Sequence, residues 1–513
     1  MKRGARTIAL LLIVAELFAL RLVSIPSFNF AFNDEGSNLT AQYLMSRGLV
    51  PLIDFGYLYG LLPLLIGKLW FCLFGLTARA YGFAALACSL LVGFALWRAS
   101  VSLGFGLIAQ AFIVITIGWA VGSYPNFAHA LEAVLICNAL AEQAAGRFSS
   151  ALALTLMAAL AKPSMGYVYF AVLLAVLVFT AARDGESEAV VRRIVVRTVA
   201  PALALFGVAV LSLSAWFGLR ATLLSLTPLA GMQVYRTLGY GFFHGAGHSF
   251  WHPAGVRWGY YFGTVAGFWL LGTVVLIGFG VLTAFSGHLE SRRAQITLTC
   301  AILQVLFILF FFGGGFSWFY YPYMLTLGLA AGANDLTWAG RLALALLAGL
   351  SILAWKATAT GMLQEWRNTT PRRSMAELWA SSEEAREWQH ALQSAQSHSA
   401  TVLSALGCAN LISDEFEKPV ALYLIPGHAT KSEIQREVTL LDHVSIVVIP
   451  EMPGWGGIPE IPAIKDTMRQ RFEVAWRGDF FAVYRSVTVS LGQLRGGRPQ
   501  TYYGIYGNTA QRR

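Results

Sequence analysis

Two adjacent carboxylates, Asp34 and Glu35, stand in Phe32-Asn33-Asp34-Glu35-Gly36, just after the first apolar segment of the chain. A carboxylate at the point where a chain leaves a bilayer is costly to desolvate unless it has a partner or a use. One use is to take the proton from a hydroxyl or amine as that group attacks an electrophile. The other reading is a solvated turn that ends the preceding helix. The choice turns on where the surrounding elements place the pair.

Those elements belong to a membrane. The chain has 513 residues, of which 56% are hydrophobic and 12% charged. Soluble domains carry about 25% charge, so this composition describes an integral membrane protein. Residues 8–25 form an apolar run behind Lys2, Arg3 and Arg6. The positive-inside rule sets that start in the cytoplasm and brings Asp34 and Glu35 out on the far side. Arg21, Pro26 and Phe28 occupy the zone where a cleavable signal would carry small residues, so the first span is read as uncleaved. Glu16 within it is expected to pair with a neighbouring helix rather than react. The net charge of +10 sits mostly in short clusters between apolar runs, which encodes topology and does not suggest nucleic acid. Five cysteines, Cys72, Cys88, Cys137, Cys300 and Cys408, include no CxxC pair, so neither a disulfide framework nor a cysteine metal site follows.

Further apolar runs lie near 81–97, 103–121, 127–145, 149–162, 166–182, 194–217, 258–285, 295–312, 321–334 and 339–357. A helix needs ~20 residues to cross. Segment 61–75 is shorter and holds Pro63, Gly67 and Lys68. If it does not cross, then Arg98, Arg147, Arg192-Arg193-Arg197, Arg292-Arg293 and Arg341 all face the cytoplasm. The expectation is a polytopic α-helical membrane protein with about eleven transmembrane helices over residues 1–360. A long first outer loop, 27–80, would hold short helices on or in the membrane face. Segments 122–127, 162–166, 218–257 and 313–321 would also be external. Residues 361–513 are read as a small extracytoplasmic α/β domain, with helices at 374–397, 431–440 and 463–472 and strands at 420–425, 444–449 and 480–487. Gly454-Trp455-Gly456-Gly457 is followed by Ile458-Pro459 rather than a helix start, so no nucleotide fingerprint is met. This domain is expected to cover a site at the membrane face and help select the acceptor.

The order of elements in the first loop carries a resemblance. Asp34-Glu35-Gly36, Ala41-Gln42-Tyr43, Gly48-Leu49-Val50-Pro51, Asp54-Phe55, Tyr59-Gly60-Leu61-Leu62-Pro63 and Phe74-Gly75…Arg79 are followed by Tyr124 and by Lys162-Pro163. The pattern resembles GT-C glycosyltransferases, in the branch of protein O-mannosyltransferases and the lipid A aminoarabinose transferase. It covers roughly residues 7–180. The resemblance implies a GT-C-like fold and a sugar donor carried on polyprenyl phosphate. It implies chemistry on the extracytoplasmic face, with Asp34 as general base and Glu35 orienting the loop or the acceptor. A leaving phosphate wants cationic partners, and Lys162, Arg236 and Arg257 are the candidates. Asp54, Tyr59, Tyr124, His129, Tyr320 and Tyr321 complete the expected substrate site. Two departures stand out. Ser123-Tyr124-Pro125-Asn126-Phe127-Ala128-His129 lacks the second-loop acid of many members, for which His129 or Glu132 is the substitute. Leu61-Leu62-Pro63 replaces the Lys-Pro-Pro of some relatives.

Other residues admit two readings each. His244, His248 and His252 are spaced by four, as a zinc site on a helix would be, but Gly245, Gly247 and Pro253 disfavour that helix. A substrate loop is the preferred reading. Trp318, Tyr320, Tyr321 and Tyr323 form either an interfacial aromatic belt or a surface for the sugar or its lipid. Asp54 either anchors the first loop or reacts. The chemistry calls for no cofactor; a divalent metal is compatible with it, but no motif supports one. The expected partners are a polyprenyl-phosphate-linked sugar, a glycan, lipid or protein acceptor, and the bilayer, in a bacterial inner membrane. A transporter or flippase is the competing class, but internal repeats and broken midplane helices are not evident. A non-catalytic scaffold is the third.

Overall fold

The computed structural model describes residues 2–24, 34–121, 127–183, 188–227, 265–285, 291–311, 322–335, 338–371, 379–395, 398–405, 416–418, 420–451 and 457–487. The helices of the membrane part are α1 (Lys2–Ser24), α2 (Asp34–Ser46), α3 (Leu62–Phe74), α4 (Ala78–Ser102), α5 (Leu107–Val121), α6 (Phe127–Ala144) and α7 (Phe148–Ala161). They continue with α8 (Pro163–Arg183), α9 (Glu188–Phe217), α10 (Leu219–Ser225), α11 (Val265–Phe285), α12 (Arg292–Phe311), α13 (Pro322–Asp335) and α14 (Trp338–Asn368). The apolar runs read from the sequence coincide with these helices, as they must where lipid offers the backbone no hydrogen-bond partner. Ala80–Ser102, Met165–Ala182 and Val195–Phe217 are long and apolar enough to cross a membrane by length and composition.

Two groups of helices make the bundle. α4, α6, α7, α8 and α9 form one, and α11 to α14 the other. α1 and α5 join them on one side, and α12 reaches α6 and α8 on the other. Lipid gives helices no hydrophobic reason to associate, so close packing and buried polar pairs hold them together. The amide of Gln143 on α6 donates to Thr299 on α12 at 2.9 Å, and Gln304 on α12 donates to Thr273 on α11 at 3.0 Å. Gly280 lies so near Ala301 that a Cβ there would fall 2.5 Å from the Ala301 methyl. The outer face of α9 exposes Val196, Leu203, Leu205, Val208 and Leu211, as a lipid-facing helix does.

Segment 61–75 contains the 13-residue helix α3, roughly 20 Å long and short of the ~30 Å hydrocarbon core. It exposes Leu69, Leu73 and Phe74 while burying Leu62, Leu64 and Gly67. Lys68 lies over the Trp216 ring, 4.9 Å from its centroid, tying α3 to the end of α9. α2 is anchored to the start of α3 by the Gln42 amide, which donates to the Leu64 carbonyl at 3.0 Å.

After β1 (Thr369–Pro371) and β2 (Trp379–Ser381), the C-terminal part contains α15 (Ser382–Ala395), β3 (Ala400–Val402), α16 (Lys431–His443), β4 (Ile446–Pro450), α17 (Pro462–Arg471), β5 (Phe472–Arg477) and β6 (Phe481–Ser486). The sheet order is β3-β4-β6-β5, with β3 parallel to β4 and the other pairs antiparallel. Alternate side chains face opposite sides of a strand. Ile446, Val448, Phe481 and Val483 belong to the cluster of Trp388 on α15, whereas Val447, Ile449, Ala482 and Tyr484 belong to that of Leu441, Ile464 and Met468.

Two expectations are corrected. The helix expected over 374–397 begins at Ser382, after strand β2. Residues 420–425 are not a strand of this sheet; among the described residues that edge belongs to β3. The apolar run is buried from Ala421 to Ile425 because it is sandwiched: Ala421 and Leu424 enter the core of the C-terminal part, while Leu422 and Tyr423 enter the cluster around the first loop.

Candidate functional site

Asp34 and Glu35 open helix α2. Their side chains lie outside the described part of the structure. Leu39 then enters one core cluster and Ala41, Leu44 and Met45 another, so α2 is held between two parts of the bundle.

After α2 the chain makes a tight turn. The Asp54 carboxylate accepts from the Val50 backbone N–H at 2.7 Å, and the Asp54 N–H donates to the Val50 carbonyl at 2.8 Å. Of its two sequence readings, this is the anchoring geometry. Beyond the turn, Phe55, Tyr57, Tyr59 and Leu61 are buried among Leu131 of α6, Leu160 and Ala161 of α7, and Leu213 and Phe217 of α9. Gly60 donates its N–H to the Ala161 carbonyl at 2.9 Å, one residue before Lys162. A Cβ at Gly60 would sit 1.9 Å from the Leu160 carbonyl oxygen, so only glycine permits this approach.

This contact brings Tyr59 to a buried polar cluster. Its ring meets that of His129 edge-on, with centroids 5.3 Å apart and planes at 76°. His129 and Glu132 lie in the first turns of α6, and Lys162 caps α7. Because Pro163 follows, Lys162 is turned out of helical geometry into an extended conformation, which ends α7. Its ammonium stands 3.3 Å from His129 Nδ1 and 3.9 Å from Glu132 Oε2, and His129 Nδ1 is 3.4 Å from the same carboxylate oxygen. The exposures are 2% for His129, 1% for Glu132 and 9% for Lys162. An ammonium only donates, so Nδ1 accepts from Lys162 or, when it carries a proton, donates to Glu132. The position of one proton is thereby linked to the orientation of the lysine.

The far end of α6 carries a different cluster. Glu142 accepts from Arg98 and from Arg147, and Arg98 also donates to Asn138 at 3.3 Å. Arg293 donates to the carbonyls of Leu103 and Gly104 at 2.8 and 3.0 Å. The bundle therefore has a polar, aromatic end and an arginine-rich end.

Of the residues read from the sequence, the structure brings Tyr59, His129 and Lys162 together, with Glu132 beneath them. Tyr124, Arg236, Arg257, Tyr320, Tyr321, His244, His248 and His252 lie outside the described residues. Among the described residues no cluster of three metal-ligating side chains occurs. The sequence reading missed a set from the C-terminal part: Glu433, Ser432 and Arg436 on α16, with His428 before it. The Glu433 carboxylate accepts from Gly56 N–H at 2.8 Å, and Ser432 and Arg436 donate to the Asp54 carbonyl at 3.0 and 2.7 Å. Thr430 and Glu433 form a capping box, which Thr430-Lys431-Ser432-Glu433 does announce. Its second use, on the first loop, has no sequence signal.

The sequence matches no protein-family model and no curated protein. Among solved structures it is similar to the crystal structure of ArnT from Cupriavidus metallidurans bound to undecaprenyl phosphate. The identity is 12% and the TM-score 0.54, over 92% of this chain and 97% of that one. At that identity the likeness is one of fold. The fold expected from the first-loop resemblance is borne out at that level: this chain shares the fold of the ArnT structure.

Proposed function

We propose that this protein is an integral-membrane glycosyltransferase that moves a sugar from a polyprenyl-phosphate donor to a lipid, glycan or protein acceptor on the extracytoplasmic face. The observation that carries the reading is the meeting of Tyr59, His129, Glu132 and Lys162 at one end of an ArnT-like bundle. In the proposed reaction the acceptor oxygen or nitrogen bonds to the anomeric carbon. The bond from that carbon to the lipid-phosphate oxygen breaks, and the phosphate leaves with the electron pair. Asp34 takes the acceptor proton. Lys162, with Arg236 and Arg257, meets the phosphate, and Glu132 and His129 hold the Lys162 ammonium in place. Tyr124, Tyr320 and Tyr321 line the sugar or its lipid, and Asp54 shapes the loop. The division of labour is a catalytic membrane domain over 1–360, with outer loops 27–80 and 218–257, and a cover over 361–513.

The test is transfer by purified protein in lipid nanodiscs supplied with a polyprenyl-phosphate sugar. Removing a general base typically costs ~10²–10⁴ in rate. Asp34→Asn should therefore lose most turnover while still binding polyprenyl phosphate, with Glu35→Gln milder. Near-normal turnover by Asp34→Asn would remove the general base from the scheme.

A further inference from the structure

Glu433 does two jobs with one carboxylate. Oε2 accepts from the Thr430 N–H at 2.9 Å, which closes the capping box of α16, and from the Gly56 N–H at 2.8 Å. Oε1 accepts from the Leu422 N–H at 2.9 Å. The group is fully buried at the junction of α16, the 420–425 run and the first loop. Gly56 is pressed against the same surface: a Cβ there would lie 2.9 Å from the His428 carbonyl oxygen and 3.1 Å from its Nε2. Arg436 reaches past Glu433 to the Asp54 carbonyl at 2.7 Å and to the Val420 carbonyl at 3.0 Å.

The loop held in this way leads directly to the buried cluster. Gly56 is followed by Tyr57 and Tyr59, whose rings meet at 5.7 Å, and Tyr59 abuts His129. Gly60 then closes on Ala161 beside Lys162. The segment is thus fixed at both ends, by Glu433 at Gly56 and by Ala161 at Gly60. A helix cap alone would need neither the Gly56 contact nor the Arg436 contact.

We propose that Glu433 is a positioning residue for sugar transfer: it fixes the first loop at Gly56 and so carries Tyr57 and Tyr59 against His129 and Lys162. The proposal rests on the glycosyltransferase reading above. It also gives the C-terminal domain a specific task, which is to set the geometry of the membrane-face site rather than only to cover it.

Glu433→Ala is the informative variant. It leaves the Gly56, Thr430 and Leu422 N–H groups without their acceptor. Glu433→Gln is its control: with the carbonyl oxygen at the Oε2 position it keeps both the capping box and the Gly56 bond and turns its NH2 against the Leu422 N–H alone, so it should stay closer to wild type at 50–60. In Glu433→Ala, hydrogen exchange should quicken in a peptide spanning 50–60 while β4 and β6 stay protected. Transfer should fall by about tenfold to 10²-fold in kcat, as misplaced reacting groups do, with the donor KM within about twofold. Gly56→Ala provides the second arm: it pushes the loop off His428 and leaves the α16 capping box intact. It also decides the matter if Glu433→Ala unfolds the C-terminal domain. Unchanged exchange at 50–60 in a variant whose sheet remains protected overturns the proposal. So does faster exchange there with kcat unchanged. The exchange arm needs neither donor nor acceptor. Wild-type protein that transfers no sugar would therefore sink the glycosyltransferase reading, while exchange at 50–60 would still decide whether Glu433 fixes the loop.

Discussion

Glu132 and Lys162 form a buried ion pair, and such a pair responds differently to single and double substitution. Removing one partner leaves an uncompensated charge, which typically costs 3–5 kcal/mol, whereas replacing both with apolar or neutral groups of similar size is often neutral. This separates folding from function at the candidate site. Lys162→Met alone should lower the thermal midpoint markedly and weaken polyprenyl-phosphate binding. Lys162→Met with Glu132→Gln should recover most of the midpoint and none of the binding. If the double variant regains both, Lys162 is a structural residue and the phosphate is held elsewhere. Asp54 makes the converse point at the same scale. Its carboxylate closes the loop at Val50 and its carbonyl is held by α16, so its two polar ends serve the fold.

At the scale of elements, α16 and the turn before it hold three titratable groups in a dry junction, and their pH dependences oppose one another. Burial, followed by the neighbouring Glu433 charge, pushes the Glu437 carboxyl up from 4.5 to about 8, against the pull of Arg436. The folded domain thus prefers Glu437 protonated. That contribution is full below about pH 4.5 and is lost as pH rises through about 8. Burial lowers His428 from 6.5 to about 4, so its contribution is present above 6.5 and is lost as pH falls through about 4. Burial also raises Glu433, with the backbone N–H groups of Leu422, Thr430 and Gly56 pulling the other way. Glu437→Gln should therefore gain thermal stability over wild type progressively between about pH 4.5 and pH 8, with the gap level above that. A gap that stays constant with pH would contradict the assignment. Element types were largely legible in the sequence: apolar runs gave the helices, and the helix expected over 431–440 begins where α16 does. The strand β5 was not, because α17 passes into it at Phe472 with no glycine or proline between them. The 420–425 run was misread because burial on two sides by different clusters looks, in sequence, like a buried strand. Of the candidate site, Lys162 and His129 entered through the resemblance, as a cation for the leaving phosphate and as the substitute for a second-loop acid. Glu433, 377 residues from Gly56, had only its local role to announce it.

The whole molecule has a direction. α6 carries His129 near its first turn and Glu142 near its last, thirteen residues and so ~20 Å apart along the axis. At the His129 end lie Tyr59, Lys162, the first loop and α16, which is docked on that loop. At the Glu142 end lie Arg98, Arg147 and Arg293. Basic residues flanking short loops remain on the cytoplasmic side during insertion, because the arginine bias governs orientation. By that rule the asymmetry predicts the arginine-rich end inside and the candidate site outside, the orientation that the proposed function requires. Two exposed positions report the two ends: Gln435 on α16 and Ser150 at the start of α7, beside Arg147. In a cysteine-free background, a membrane-impermeant maleimide applied to intact cells should label Gln435→Cys at once. Ser150→Cys should be labelled only after the membrane is permeabilised. The reverse pattern would place Lys162 and the first loop in the cytoplasm, and a donor reached from the outer leaflet could not be the substrate.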